Sequence, residues 1–208
     1  MKTFFRRMAS LAAFLMMFGT AAFGQTWKSN DIGNTLPGST NIAGGVITIE
    51  GDGNDIWSFA DAFRFVHQQG SGDIEMVARL TSQEFTDQWA KAGVMIRQSL
   101  QAGSTHAYMC RTIFNGSAFQ NRLVADGSSN NVSGAPSNLP RWLRLVREGN
   151  DFTGYQASDN NGQPGSWSQV GPTVSIVMTD PVYVGLAVTS HDATQLCTAV
   201  FDSVSITE

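Results

Sequence analysis

Lysine is nearly absent from this chain. Apart from Lys2, only Lys28 and Lys91 occur in 208 residues, and the arginines beyond Arg7 never form a basic cluster. A surface of that kind argues against nucleic acid and anionic lipid as partners. Histidine is equally sparse: His67, His106 and His191 are scattered, without the spacing of a metal site. There is no Gly-x-Ser-x-Gly elbow, no His-Glu-x-x-His pair and no phosphate-cradling glycine loop. Beyond residue 24 no segment approaches the roughly 20 apolar residues of a membrane helix. The expected cofactor and metal sets are therefore empty.

What is present begins with an export signal. Lys2, Arg6 and Arg7 precede an apolar run from Met8 to Phe18, and Ala22-Phe23-Gly24 places small residues at the cleavage-determining positions. The pattern predicts cleavage before Gln25 and a secreted chain, periplasmic or extracellular. Removing 24 of 208 residues leaves 184, the size of one domain, so residues 25–208 are expected to fold as a single unit. Three of the 13 Lys+Arg leave with the signal, so 10 remain against 17 Asp+Glu, a net charge of −7. Cys110 and Cys197 are the two cysteines, and export makes a disulfide between them natural. Such a bridge would close a loop of about 87 residues and contribute about 4–5 kcal/mol on the chain-entropy model.

The stretch Trp89 to Arg97 (WAKAGVMIR) reads two ways. Phe85, Trp89, Ala92, Ile96 and Leu100 fall near helical spacing, whereas Ala92, Val94 and Ile96 alternate as on one face of a strand. Gly93 costs a helix interior about 1 kcal/mol, and no residue caps a helix well at either end. The strand is the better reading. Its neighbours agree: Gly45–Glu50, Phe63–His67, Asp73–Leu80, His106–Phe114 and Ser117–Ala125 alternate or are strand-rich, as are Trp142–Arg147, Phe152–Ala157, Val174–Met178, Val182–Thr189 and Leu196–Ile206. Asn115-Gly116, Asp126-Gly127, Gly149-Asn150 and Asn161-Gly162 punctuate them as turns. About a dozen short strands without a convincing helix predict an all-β sandwich of two antiparallel sheets.

Several phrases carry a resemblance. Asp52-x-x-Asp55-Ile56-Trp57, Phe63-x-Phe65, Trp89 to Arg97, Trp142-Leu143-Arg144-Leu145, Tyr183 to His191, and Thr198-Ala199-x-Phe201-Asp202-x-Val204 follow in that order. Together they resemble a secreted bacterial domain of unknown function with a concanavalin A-like lectin/glucanase fold, often labelled "regulation of enolase protein 1-like". The resemblance runs from about Trp27 to Ile206. It implies a jelly roll of two curved antiparallel sheets. An exported chain would not meet a cytosolic enolase, so the label carries no function here.

Glycosidases of this superfold need two carboxylates on one strand face, at i and i+2 or i+4. Asp73/Glu75 begin a strand beside Gly72, Glu84/Asp87 are three apart, and Glu148/Asp151 flank a turn. No catalytic set is expected, although a glycan-cleaving enzyme and a structural domain with protein partners stay open as alternatives. The Asp52–Asp55 turn has oxygen ligands suited to calcium but lacks a full ligand run. Ser158, Asp159, Gly162 and Trp167 resemble the hairpin of sialidase-like repeats, in which Asp159 would bond turn amides and Trp167 pack behind them. What remains is binding of a polysaccharide or other glycan by a monomer, since aromatic rings stack on sugar faces while polar groups take the hydroxyls. The candidate ligand-binding residues are Arg79, Trp89, Lys91, Arg97, His106 and His191, with Arg79, Lys91 and Arg97 expected side by side on one sheet. The competing arrangement pairs Arg79 and Arg97 with Glu75 and Asp61.

Overall fold

The computed structural model describes residues 26–136 and 138–208. The expected signal peptide and its cleavage point before Gln25 lie outside the described residues. In chain order the strands are β1 (Lys28–Ile32), β2 (Ser39–Ala43), β3 (Val46–Gly51), β4 (Ile56–Trp57), β5 (Ala60–Asp61) and β6 (Phe63–Gly70). Then come β7 (Ile74–Gln83), β8 (Lys91–Arg97), β9 (His106–Thr112), β10 (Ser117–Arg122), β11 (Asn130–Ser133) and β12 (Arg141–Glu148). The last are β13 (Asp151–Asn160), β14 (Gln163–Pro164), β15 (Ser168–Ser175), β16 (Val182–Thr189) and β17 (Cys197–Thr207). No helix occurs among the described residues.

Two sheets are stacked as a jelly-roll sandwich. The seven-stranded sheet runs β1-β6-β16-β8-β9-β10-β11, and the eight-stranded sheet runs β14-β13-β12-β7-β17-β3-β2 with β15 also on β13. Neighbours pair antiparallel, as in β8 with β9, where Lys91 faces Thr112 and Arg97 faces His106. The period-2 patterns explain the layers. Ile74, Met76, Ala78 and Leu80 of β7 meet Ala92, Val94 and Ile96 of β8 in the inter-sheet core, joined by Leu143, Leu145 and Phe201. Burying each of the larger side chains among these, from valine to phenylalanine, stabilises by about 1.5–3 kcal/mol.

The seven-stranded sheet is buried on its other face as well. There Phe63, Phe65, Met95, Tyr108 and Cys110 form a second cluster beneath Ile56. The roof over it is the β4–β5 hairpin, which turns at Ser58 with a φ of 54°. Hydrogen bonds from the Asp61 amide to the Ala102 carbonyl (3.0 Å) and from the Ser129 amide to the Ser58 carbonyl (3.0 Å) pin it down. A covered outer face is why β8 is buried at all seven positions rather than at every second one.

Two expectations are corrected. The strand at Val174–Met178 is displaced, because β15 ends at Ser175. Ile176 and Met178 are still buried, but the Ile176 amide bonds the Asn150 carbonyl and the Met178 carbonyl accepts from Arg147 at 3.1 Å. Those backbone groups are thus satisfied outside a ladder. Cys110 and Cys197 form no disulfide. Cys110 lies in the cluster on the outer face of the seven-stranded sheet, whereas Cys197 faces the inter-sheet core. With Cys110 on β9 of the seven-stranded sheet and Cys197 on β17 of the eight-stranded one, the seven-stranded sheet lies between the two thiols, and they cannot be bridged without moving backbone. Burial pushes both thiols up to about 12.

Candidate functional site

One cleft of about 410 Å³ opens on the outer face of the seven-stranded sheet, lined by Asp55, Trp57, Trp89, Lys91, Gln120, Asn131 and His191. Each element delivers a side chain for a local reason. Lys91 opens β8 on the face opposite Ala92, so its stem runs up beside the hairpin. Its ammonium donates to Asp55 Oδ1 and to the Ile56 carbonyl at 3.4 Å. It also stands 5.9 Å from the centre of the Trp57 ring. Gln120 of β10 and Asn131 of β11 are register partners, and Gln120 Nε2 donates to Asn131 Oδ1 at 3.1 Å. Gln120 Oε1 is buried without a hydrogen-bond partner.

Three loops close the rim. His191, at a φ of 55°, follows β16. Its Nε2 lies 3.3 Å from Asp55 Oδ2 and its Nδ1 lies 3.0 Å from Asp87 Oδ1. Asp87 Oδ1 also accepts the Trp89 amide at 2.7 Å, which fixes the turn carrying the indole. Thr189 donates to the Gly53 carbonyl at 2.9 Å, and Thr86 to the Ser190 carbonyl at 2.6 Å. Trp57 is 37% exposed and Trp89 41%, large apolar surface for side chains held this firmly. Beyond Trp89 the aromatic surface continues in Phe85 and Phe114, whose rings are 5.4 Å apart. The Phe114 amide donates to the Gln88 carbonyl, tying that pair to the same loop.

Behind the hairpin lies an ionic cluster with no opening to solvent. Asp61 receives Arg122 at 2.6 and 2.9 Å and Arg97 at 3.4 Å, and His106 Nδ1 stands 3.6 Å away. All four side chains are fully buried. Arg122 also donates to the Trp57, Ser58, Ser104 and Gly127 carbonyls, which locks the hairpin to its neighbours. Arg97 lies over the Phe63 ring at 4.9 Å, and burial brings its pKa down to about 10. Burial likewise brings His106 down to about 4, against the opposing pull of Asp61.

The six candidate residues therefore separate into three places. Trp89, Lys91 and His191 share the cleft. Arg97 and His106 lie sealed under the hairpin, with Arg97 paired to Asp61. Arg79 is on the other sheet, where it holds Asp159 at 2.7 Å and Asp202 at 2.8 Å, so the expected row of three cations does not form. Its pairing with Glu75 does not form either, because Glu75 is taken by Arg144. Asp159 accepts from the Gly162 amide at 3.1 Å, as the hairpin resemblance implied, but it is Trp142 whose indole donates to it, at 2.9 Å. Trp167 packs instead near the Arg144 guanidinium.

The carboxylates considered for catalysis or calcium have other partners. Asp73 accepts the Gly149 amide and Asp52 the Leu36 amide. The candidate set leaves out Asp55, Trp57, Gln120 and Asn131, although Trp57 belongs to the chain's supply of aromatic rings able to stack on sugars. The Asp-Ile-Trp phrase directly after a glycine-rich turn was the available signal for the first two.

Comparison with solved structures finds the fold of this chain, a concanavalin A-like β-sandwich, in lectins as well. No protein-family model matches the chain, and no curated protein matches it. A functionally unknown protein from Saccharomyces cerevisiae superposes with a TM-score of 0.65 at 18% identity, over 88% of this chain and 95% of that one. The carbohydrate binding module CBM66 from Bacillus subtilis gives a TM-score of 0.55 at 14% identity, again over 88% and 95%. A xylan β-1,4-xylosidase from Bacillus halodurans gives 0.52 at 17% identity, but the match spans 78% of this chain and only 33% of the enzyme. At these identities the likeness is one of fold.

Proposed function

We propose that this chain is a non-catalytic extracellular carbohydrate-binding module that receives a glycan in the Trp57–Trp89 cleft. The observation that carries the reading is the pair of half-exposed indoles lining one cleft with Lys91, Asp55, His191, Gln120 and Asn131. Sugar rings present an apolar face to such indoles and hydroxyls to such polar groups. The fold it shares with a carbohydrate-binding module and with lectins supports the same reading. Asp55 is shared by Lys91 and His191, and Asp87 by His191 and the Trp89 amide, an arrangement suited to holding a wall in place. The module acts as one domain of residues 25–208, exported after cleavage before Gln25 and working as a monomer. The secreted-domain family named above is the group it would join.

The test is a glycan-array screen of the mature chain followed by titration of the best hit. Trp57→Ala and Trp89→Ala should each weaken binding about tenfold, the loss of one stacked ring, while melting stays close to wild type. Unchanged affinity in both variants, or release of reducing ends from the bound glycan, would overturn the proposal.

A further inference from the structure

We infer, building on the carbohydrate-binding reading, that the cleft selects neutral, hydroxyl-rich saccharides and rejects acidic ones. Its charge is already balanced. Lys91, the cation lining the cleft wall, is matched by Asp55 and by the Ile56 carbonyl. Arg97 and Arg122 are spent on Asp61 beneath the hairpin, and Arg79 is engaged on the opposite sheet. His191 stands between two carboxylates, Asp55 and Asp87. Lys91, His191, Asp55 and Asp87 together sum to zero when His191 is protonated and to −1 when it is neutral. A uronate or sulfate entering here would lose water without gaining an uncommitted cation, and would approach two like charges.

The polar lining adds a preference for a hydroxyl donor at one point. Gln120 lines the cleft at 4% exposure, and its Oε1 is buried with no donor in reach. A buried acceptor left unpaired is costly, so the site favours a ligand that brings a donor. A saccharide hydroxyl donates; a carboxylate or sulfate oxygen can only accept. Donor demand at Gln120 favours a hydroxyl at that point of the ligand, and charge balance at Lys91 is the separate observation that disfavours an anion.

The experiment uses polymer pairs that share a backbone and differ in charge: hydroxyethyl cellulose against carboxymethyl cellulose, fully methyl-esterified polygalacturonate against polygalacturonate, and arabinoxylan against glucuronoxylan. Affinity electrophoresis of the mature chain should show a neutral member retained at least about tenfold more strongly than its acidic partner. That retention should stay flat between about 20 and about 500 mM salt. Retention of an acidic member at least as strong, fading as salt rises, would overturn the inference and leave the carbohydrate-binding reading standing. No retention by any polymer, together with an empty glycan array, would overturn both. Asp55→Asn should free Lys91 and shift the ratio toward the acidic member by severalfold. Asp87→Asn, on the outer loop, should shift it the same way if Asp55→Asn unfolds. An unchanged ratio in the folded variants would refute the charge argument.

Discussion

Asp61→Asn is the most informative substitution the fold offers. The side chain is fully buried and is the carboxylate serving two guanidinium groups, with Arg122 in a two-point contact at 2.6 and 2.9 Å and Arg97 at 3.4 Å. Asparagine keeps the shape and removes the charge, leaving two buried cations without a counter-ion. Removing one partner of a buried ion pair costs about 3–5 kcal/mol. That is a large share of the roughly 5–15 kcal/mol by which a domain is stable.

Arg97→Met sets the scale. Asp61 then keeps both contacts to Arg122, and the methionine still lies against Phe63, so the cost should be about 1–3 kcal/mol, that of a lost charged hydrogen bond. Urea unfolding followed by tryptophan fluorescence measures both, with equal slopes showing that the transition is comparable. The hairpin bearing Trp57 hangs on this cluster, so the Asp61 variant should also lose the glycan binding proposed above. An Asp61→Asn midpoint close to wild type, or an Arg97→Met cost exceeding it, would refute the account of the cluster.

Two further outcomes follow from the core. Both cysteines should resist alkylation in the native protein, since burial holds them near 12, and both should label in urea without reductant. A pair that stays unlabelled there would restore the disulfide. Gly93→Ala should destabilise by about 1–3 kcal/mol or more, because the new Cβ would sit 2.2 Å from the Met109 carbonyl oxygen in the adjoining strand. A stabilised Gly93→Ala by thermal melting would contradict the packing of β8 on β9.

The layering was legible because alternation encodes it locally. Lys91, Met95 and Arg97 fall on the face opposite Ala92, Val94 and Ile96, as the period of two requires. What lies across each face depends on strand order, which alternation does not carry. Arg79 could be placed near Arg97 only by assuming β7 beside β8, whereas β7 pairs with β12 and β17 in the other sheet. The Arg97–Asp61 pair of the competing arrangement does form, but as a sealed pair rather than a surface one, because the roof carrying Asp61 arrives from 36 residues away. Gln120 and Asn131 carry no local mark at all; they become site residues only through the β10–β11 register. The cysteines show the same limit, since an even count and an expected export say nothing about which sheet each thiol sits on or which way it points.

The Arg122 contacts to the hairpin carbonyls bear on binding kinetics. A wall held by buried charge and backbone acceptors is ordered before any ligand arrives, so little conformational entropy is left to lose on association. Free and bound forms should superpose closely around Asp55 and Trp57. Under the proposed function, affinity differences among glycans should then appear in how fast each leaves, with rates of arrival nearly shared. On the proposed reading a sugar would leave the two indoles while the wall stays where folding put it.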